Sequence, residues 1–174
     1  MWTIIVGDGL TQHFLSSDIG FAEQPLNVGR REVERLLGKG KSIGNGPLPS
    51  FLKATLKARS QGCQIGLVFS DRKIPSTDQN DPQSTDSVSQ SFGPCLSDIA
   101  SDAEIVRASL LGIPWERFGE AVSTITGFDP LKNRAKNNEI RFLVIGCHTE
   151  HRILGIATFL RNVLGFEKVG ICSH

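Results

Sequence analysis

The chain has no apolar stretch approaching the ~20 residues that span a bilayer. Its first residues, Met1-Trp2-Thr3-Ile4-Ile5-Val6, lack the basic region of a secretory leader and are broken at once by Gly7-Asp8. A membrane protein and a cleaved leader are thereby set aside, and a soluble cytoplasmic domain is expected. There is no excess charge of one sign, because 19 Lys and Arg stand against 18 Asp and Glu. Without a broad positive field to draw a phosphate backbone, no nucleic-acid partner is expected. There is also no CxxC pair. Cys63, Cys95, Cys147 and Cys172 are far apart, and three of them lie in or beside apolar strand-like segments. That pattern predicts buried, reduced thiols in the cytosol and not a disulfide framework.

What is present fits one domain over residues 1–174. At 174 residues with 39% hydrophobic content, the chain is long enough for a sheet covered by helices on both faces and too short for two cores. Trp2 to Val6, Cys63 to Phe69, Ile140 to Cys147 and Lys168 to Cys172 are short apolar runs closing on polar or glycine residues, the pattern of strands buried on both faces. Helical spacing is read over Asn27 to Leu37 and over Asp102 to Leu111. A helix capped by Ser50 is expected to bury Phe51, Leu52, Leu56 and Ala54 and to end at Gly62. Pro130 to Asn138 reads as a short polar helix, and a strand is weighed for Ala121 to Ile125. Thr149 to Leu164 reads as a helix with Ile153, Ile156, Ala157, Leu160, Val163 and Leu164 on one broad face. Residues 75–90, almost purely Ser, Thr, Asp, Asn, Gln and Pro, cannot bury enough apolar area to offset their ordering entropy and read as a mobile surface loop. Alternating strand and helix predicts a three-layer α/β/α, Rossmann-like, mainly parallel sheet. Its ligand site would lie outside the carboxyl ends of the strands, where Asp8, Asp71, the segment from Cys147 to His151 and Ser173-His174 fall.

Several of these segments, taken in order, resemble the isochorismatase-like cysteine hydrolases. Val144-Ile145-Gly146-Cys147-His148-Thr149-Glu150-His151-Arg152-Ile153, followed by Ala157 and Gly165-Phe166, is similar to the stretch in which an apolar strand leads through Gly and Thr to the nucleophilic Cys-Val that opens a helix. Ile4-Ile5-Val6-Gly7-Asp8, with Gln12 and Phe14 behind it, resembles the first strand and its catalytic aspartate, with one residue inserted after Asp8. Ser91-Phe92-Gly93-Pro94-Cys95, followed by Ala103-Glu104-Ile105, resembles a Gly-Pro-His-Cys loop without its histidine, and Thr126-Gly127-Phe128 resembles the turn after the catalytic lysine. The family chain also continues for about one more helix past its last strand, whereas this one stops at Ser173-His174, so a truncated C-terminus and an uncovered sheet face that invites homo-oligomers are expected.

In that family a thiolate attacks a carbonyl or imine carbon, an aspartate takes the proton, and backbone amides hold the developing anion. The resemblance puts Asp8 in the aspartate place, Ser123 or a neighbour in the lysine place, and Arg152 in the cysteine place. A guanidinium stays protonated and cannot be a nucleophile. The resemblance thus implies a hydrolase-family protein with a degenerate triad, a pseudoenzyme whose catalysis is lost or altered. Isochorismate hydrolases and decoy homologues in the family can also lack the cysteine.

Asp8 and Cys147 are the candidate catalytic residues. Arg152, His148, His151 and Phe128 are the candidates for holding a small carboxylate or amide, Arg152 by a bidentate fork near a helix start. No cofactor and no metal are called for, since His148 and His151, even with Asp71 and His174, match no familiar zinc spacing. Two other functions stand beside this one. One is a non-catalytic scaffold or oligomerisation module, and the other is hydrolysis through Cys147 paired with a histidine or through an Asp8-activated water.

Overall fold

The computed structural model describes residues 1–8, 10, 30–39, 44–71, 96, 99, 102–107, 115–146 and 152–172. The helix of Arg30–Leu37 (α1) follows the strand Trp2–Asp8 (β1), then come the helix Pro47–Ser60 (α2) and the strand Ile65–Asp71 (β2). The strand Glu104–Arg107 (β3), the helix Trp115–Thr126 (α3), a 3-10 turn at Arg134–Glu139 and the strand Ile140–Gly146 (β4) come next. The chain closes with Leu154–Thr158, continued by a π-helical turn at Phe159–Val163 (together α4), and the strand Val169–Ile171 (β5). The strands form one five-stranded sheet in the order β3-β2-β1-β4-β5, and all four pairings are parallel.

Alternation along the strands sorts the core. Ile5 of β1, Leu67 and Phe69 of β2 and Ile145 of β4 pack with Leu36, Leu37, Leu48 and Leu52 of α1 and α2. The intervening residues, Ile4 and Val6, Val68, and Ile140, Phe142 and Val144, pack with Phe118 and Val122 of α3 and Leu160 of α4. Successive strand residues face opposite sides, so the two groups occupy opposite faces of the sheet. This two-sided burial explains why β1, β2 and β4 read as continuous apolar runs and not as alternating ones. The chain passes from β1 to β2 through α1 and α2 in one direction, and from β4 to β5 through α4 in the other. The direction reverses between β1 and β4.

Several sequence expectations are corrected. Asp102 to Leu111 was expected to be helical, yet Glu104–Arg107 pairs in register with Val68 to Asp71 as the edge strand β3, with Val106 buried. Four consecutive residues that fit either period were decided by the open edge of β2, which is a tertiary partner. The strand weighed for Ala121 to Ile125 is part of α3, where Phe118, Ala121, Val122 and Ile125 have the i, i+3, i+4, i+7 spacing of a buried helical stripe. Ser50 does not cap α2. That helix begins at Pro47 behind Gly46, with proline in the first turn where its missing N–H is not needed. Ala54 is exposed, and Thr55 takes the buried place with its hydroxyl donated to the Phe51 carbonyl at 2.9 Å. Cys63 is exposed and not in the core, because the chain turns outward at Gln61 and Gly62 before β2 begins. The loop at residues 75–90, the Ser91 to Cys95 segment and the proposed helix start at Thr149 lie outside the described residues. Among the described residues no helix is long and apolar enough to cross a membrane.

Phe142 sits at the centre of the α3/α4 face, with ring centroids 5.7 Å from Phe118 and 4.7 Å from Phe166. Phe142→Ala is therefore expected to destabilise the fold by about 3–5 kcal/mol. By contrast Val163→Ala, at a side chain that is 60% exposed, should change it by no more than about 0.5 kcal/mol. Urea denaturation of both variants checks the pair.

Candidate functional site

The row of β1 side chains that begins with Ile4 and Val6 ends in Asp8, and the neighbouring row of β2 runs through Gly66 and Val68 to Ser70. Because Gly7 pairs with Phe69, the next residues along, Asp8 and Ser70, lie side by side at the carboxyl ends of their strands. Ser70 donates its hydroxyl to Asp8 Oδ1 at 2.5 Å. On the other side Asp8 pairs with Gly146, the last residue of β4. Gly146 has φ of +140°, and a Cβ there would overlap the carbonyl oxygen of Asp8. Only glycine fits this backbone conformation and approach.

After β4 the chain returns over the same face of the sheet. Arg152 stands one residue before Ile153, which is buried in the α3/α4 cluster. Its guanidinium reaches Asp8 with both arms, Nε donating to Oδ2 at 2.5 Å and Nη2 to Oδ1 at 2.9 Å. Asp8 has no exposed surface, and the Arg152 side chain keeps 10% of its own. This is the planar fork-to-carboxylate geometry that lysine cannot reproduce. The contrast with Arg59 and Asp102 is one of magnitude. That pair is also in direct contact, at 2.8 Å, but its side chains are 35% and 45% exposed, so it is worth about 0–1 kcal/mol. Removing one partner of a buried pair leaves an uncompensated charge and costs about 3–5 kcal/mol.

Of the residues singled out in the sequence, Asp8 and Arg152 are in direct contact. Cys147, His148 and His151 lie outside the described residues, as does His174. Phe128 is held elsewhere: it follows α3, packs against the α3/α4 cluster and carries the Lys136 ammonium 5.0 Å above its ring. Lys136 belongs to the 3-10 turn that leads into the first residue of β4. The seven residues of β4 thus separate Phe128 from Asp8, roughly 20 Å at 3.3 Å per residue. Ser123, the position equated with the lysine, lies within α3. Its near neighbour Ile125 packs on Gly66 in the first half of β2, toward the starting ends of the strands. The sequence reading missed Ser70. Its signal was parity: it continues the Val68 row, and in a parallel pair that row faces the same side as Asp8.

Among the described residues no group of three or more His, Cys, Asp or Glu side chains is placed to hold a metal ion. Chemically, Asp8 is an acceptor whose two oxygens receive three hydrogen bonds from the described residues Ser70 and Arg152, and Arg152 is a cation whose charge is met at contact distance. The chain matches no known protein family, no curated protein and no solved structure.

Gly146→Ala is expected to lower stability by at least about 3 kcal/mol, since a left-side φ and a backbone overlap are both forced. Gly155→Ala, in the exposed face of α4 with open space around it, should raise stability by about 0.5–1 kcal/mol. Chemical denaturation separates the two. Burial pushes the Cys172 thiol above its ordinary pKa, so near pH 8 it holds less thiolate than an unperturbed thiol. Mass spectrometry after brief iodoacetamide treatment should show the exposed Cys63 labelled before Cys172.

Proposed function

We propose that this chain is a non-catalytic scaffold domain descended from isochorismatase-like cysteine hydrolases, in which the former acid and nucleophile positions have become a structural ion pair. The observation that carries the reading is the two-armed contact of Arg152 with a fully buried Asp8. The resemblance equates these positions with the family's aspartate and cysteine, which must be neighbours for the family chemistry, and here they are neighbours. Their chemistry is reversed. A carboxylate already accepting from Arg152 and Ser70 has no free face with which to take a proton from a nucleophile or a water. The same pairing argues against the strand ends as a receptor for a small carboxylate, because the positive charge that would draw it is compensated by Asp8.

The strand order, the reversal of direction between β1 and β4, and apolar clusters on both sheet faces support a three-layer, Rossmann-like arrangement. In such sheets the crevice for ligands opens where the direction reverses. Asp8 and Gly146 sit at that point, and Arg152 fills it.

The test is turnover combined with stability. The wild-type chain is expected to hydrolyse neither amides nor enol ethers above the buffer rate, while Asp8→Asn and Arg152→Met each lose about 3–5 kcal/mol of stability. Wild-type turnover that vanishes in Cys147→Ala, or in Asp8→Asn with stability unchanged, would overturn the proposal.

A further inference from the structure

We infer that the groove between α4 and the edge strand β5 binds a small monocarboxylate with a short apolar tail. The groove's lining includes neither Asp8 nor Arg152, and the inference does not rest on how those two are read. The groove is open to solvent and has a volume of about 310 Å³. Its apolar lining is made by Leu154 and Ala157 of α4 and by Val169 and Ile171 of β5. Its rim carries Thr158, Arg161 and Asn162. The α4 residues follow the i, i+3, i+4, i+7, i+8 spacing of one helical stripe, so a single face of α4 presents apolar and polar groups together. Leu154 is 50% exposed although it is a large aliphatic side chain, which leaves apolar surface wet in the free protein.

Among the described residues no hydrogen bond or ion pair engages these polar groups. Thr55, Thr124 and Thr126 each donate their hydroxyl to the carbonyl four residues back in their own helix. Thr158 makes no such bond, and Arg161 forms no ion pair with any described residue. One uncompensated guanidinium, a hydroxyl and a carboxamide beside an apolar lining suit one carboxylate attached to hydrocarbon. A phosphate dianion would meet a single cation and gain nothing from that lining. At ~30 Å³ per water, the groove has room for roughly ten waters, enough for an acid of about that many non-hydrogen atoms or fewer. The turn that carries Arg161 and Asn162 is π-helical, with the Leu164 N–H bonded to the Phe159 carbonyl at 3.1 Å, and such turns recur at functional sites.

The experiment is a titration of the labelled full chain with sodium hexanoate, followed by two-dimensional amide NMR, with hexan-1-ol as the neutral comparison. Saturable shifts confined to the amides of residues 154–162 and 169–171 are expected. Arg161→Gln should weaken hexanoate binding about tenfold, as loss of a charge-assisted contact does, and leave hexanol unchanged. Leu154→Glu, also at an exposed position, should abolish hexanoate binding by repulsion. Absence of saturable shifts at millimolar hexanoate, shifts centred elsewhere, or equal affinity in Arg161→Gln would overturn the inference. Both variants are at exposed side chains, and unchanged thermal midpoints establish that they fold.

Discussion

A carboxylate with no solvent contact at the end of the central strand imposes a condition on the rest of the molecule, because an isolated buried charge costs far more than one side chain's packing returns. Among the described residues, three parts of the chain converge to meet that condition: β1 that carries Asp8, β2 that brings Ser70, and the segment entering α4 that brings Arg152. The partners lie 62 and 144 residues away. The ion pair is therefore a report on the central strands, since it depends on β1, β2 and β4 holding their parallel registers. Buried pairs of this kind add little net stability over an apolar replacement but penalise misregistered alternatives.

Gly146 makes the same condition steric. A one-residue slip of β4 against β1 would bring a side chain, Ile145 or the residue beyond Gly146, against the Asp8 carbonyl. Such a slip would also turn every apolar residue of β4 to the wrong face. Charge and shape thus select one register at the point where strand order reverses. In open parallel sheets that point is where a crevice forms, and here an arginine from the chain's own next segment occupies it. The proposed scaffold role rests on that internal contact between Arg152 and Asp8.

Much of the fold was legible from periodicity. β1, β2 and β4 are buried on both faces, so their apolar runs stand out against polar neighbours, and α1 shows its stripe. The errors fall where local pattern and tertiary partner disagree. β3 is four residues long and gains its identity from the free edge of β2, and the burial of α2 was misplaced because proline, not serine, begins it. Phe128 was drawn into the site by its place in a motif, although its turn lies at the starting ends of the strands. Cys63 was taken as core because it adjoins an apolar run, although the strand begins two residues later, at Ile65.

By itself the sequence determined the α/β class of fold and the two ionisable residues, Asp8 and Arg152, worth watching. Only the tertiary structure decided that these two neutralise one another and that Ser70 joins them. The physical reason is range. Apolar periodicity is a property of neighbours in the chain, whereas the compensation of a charge depends on which distant groups arrive within hydrogen-bond reach, and that is set by strand order and register.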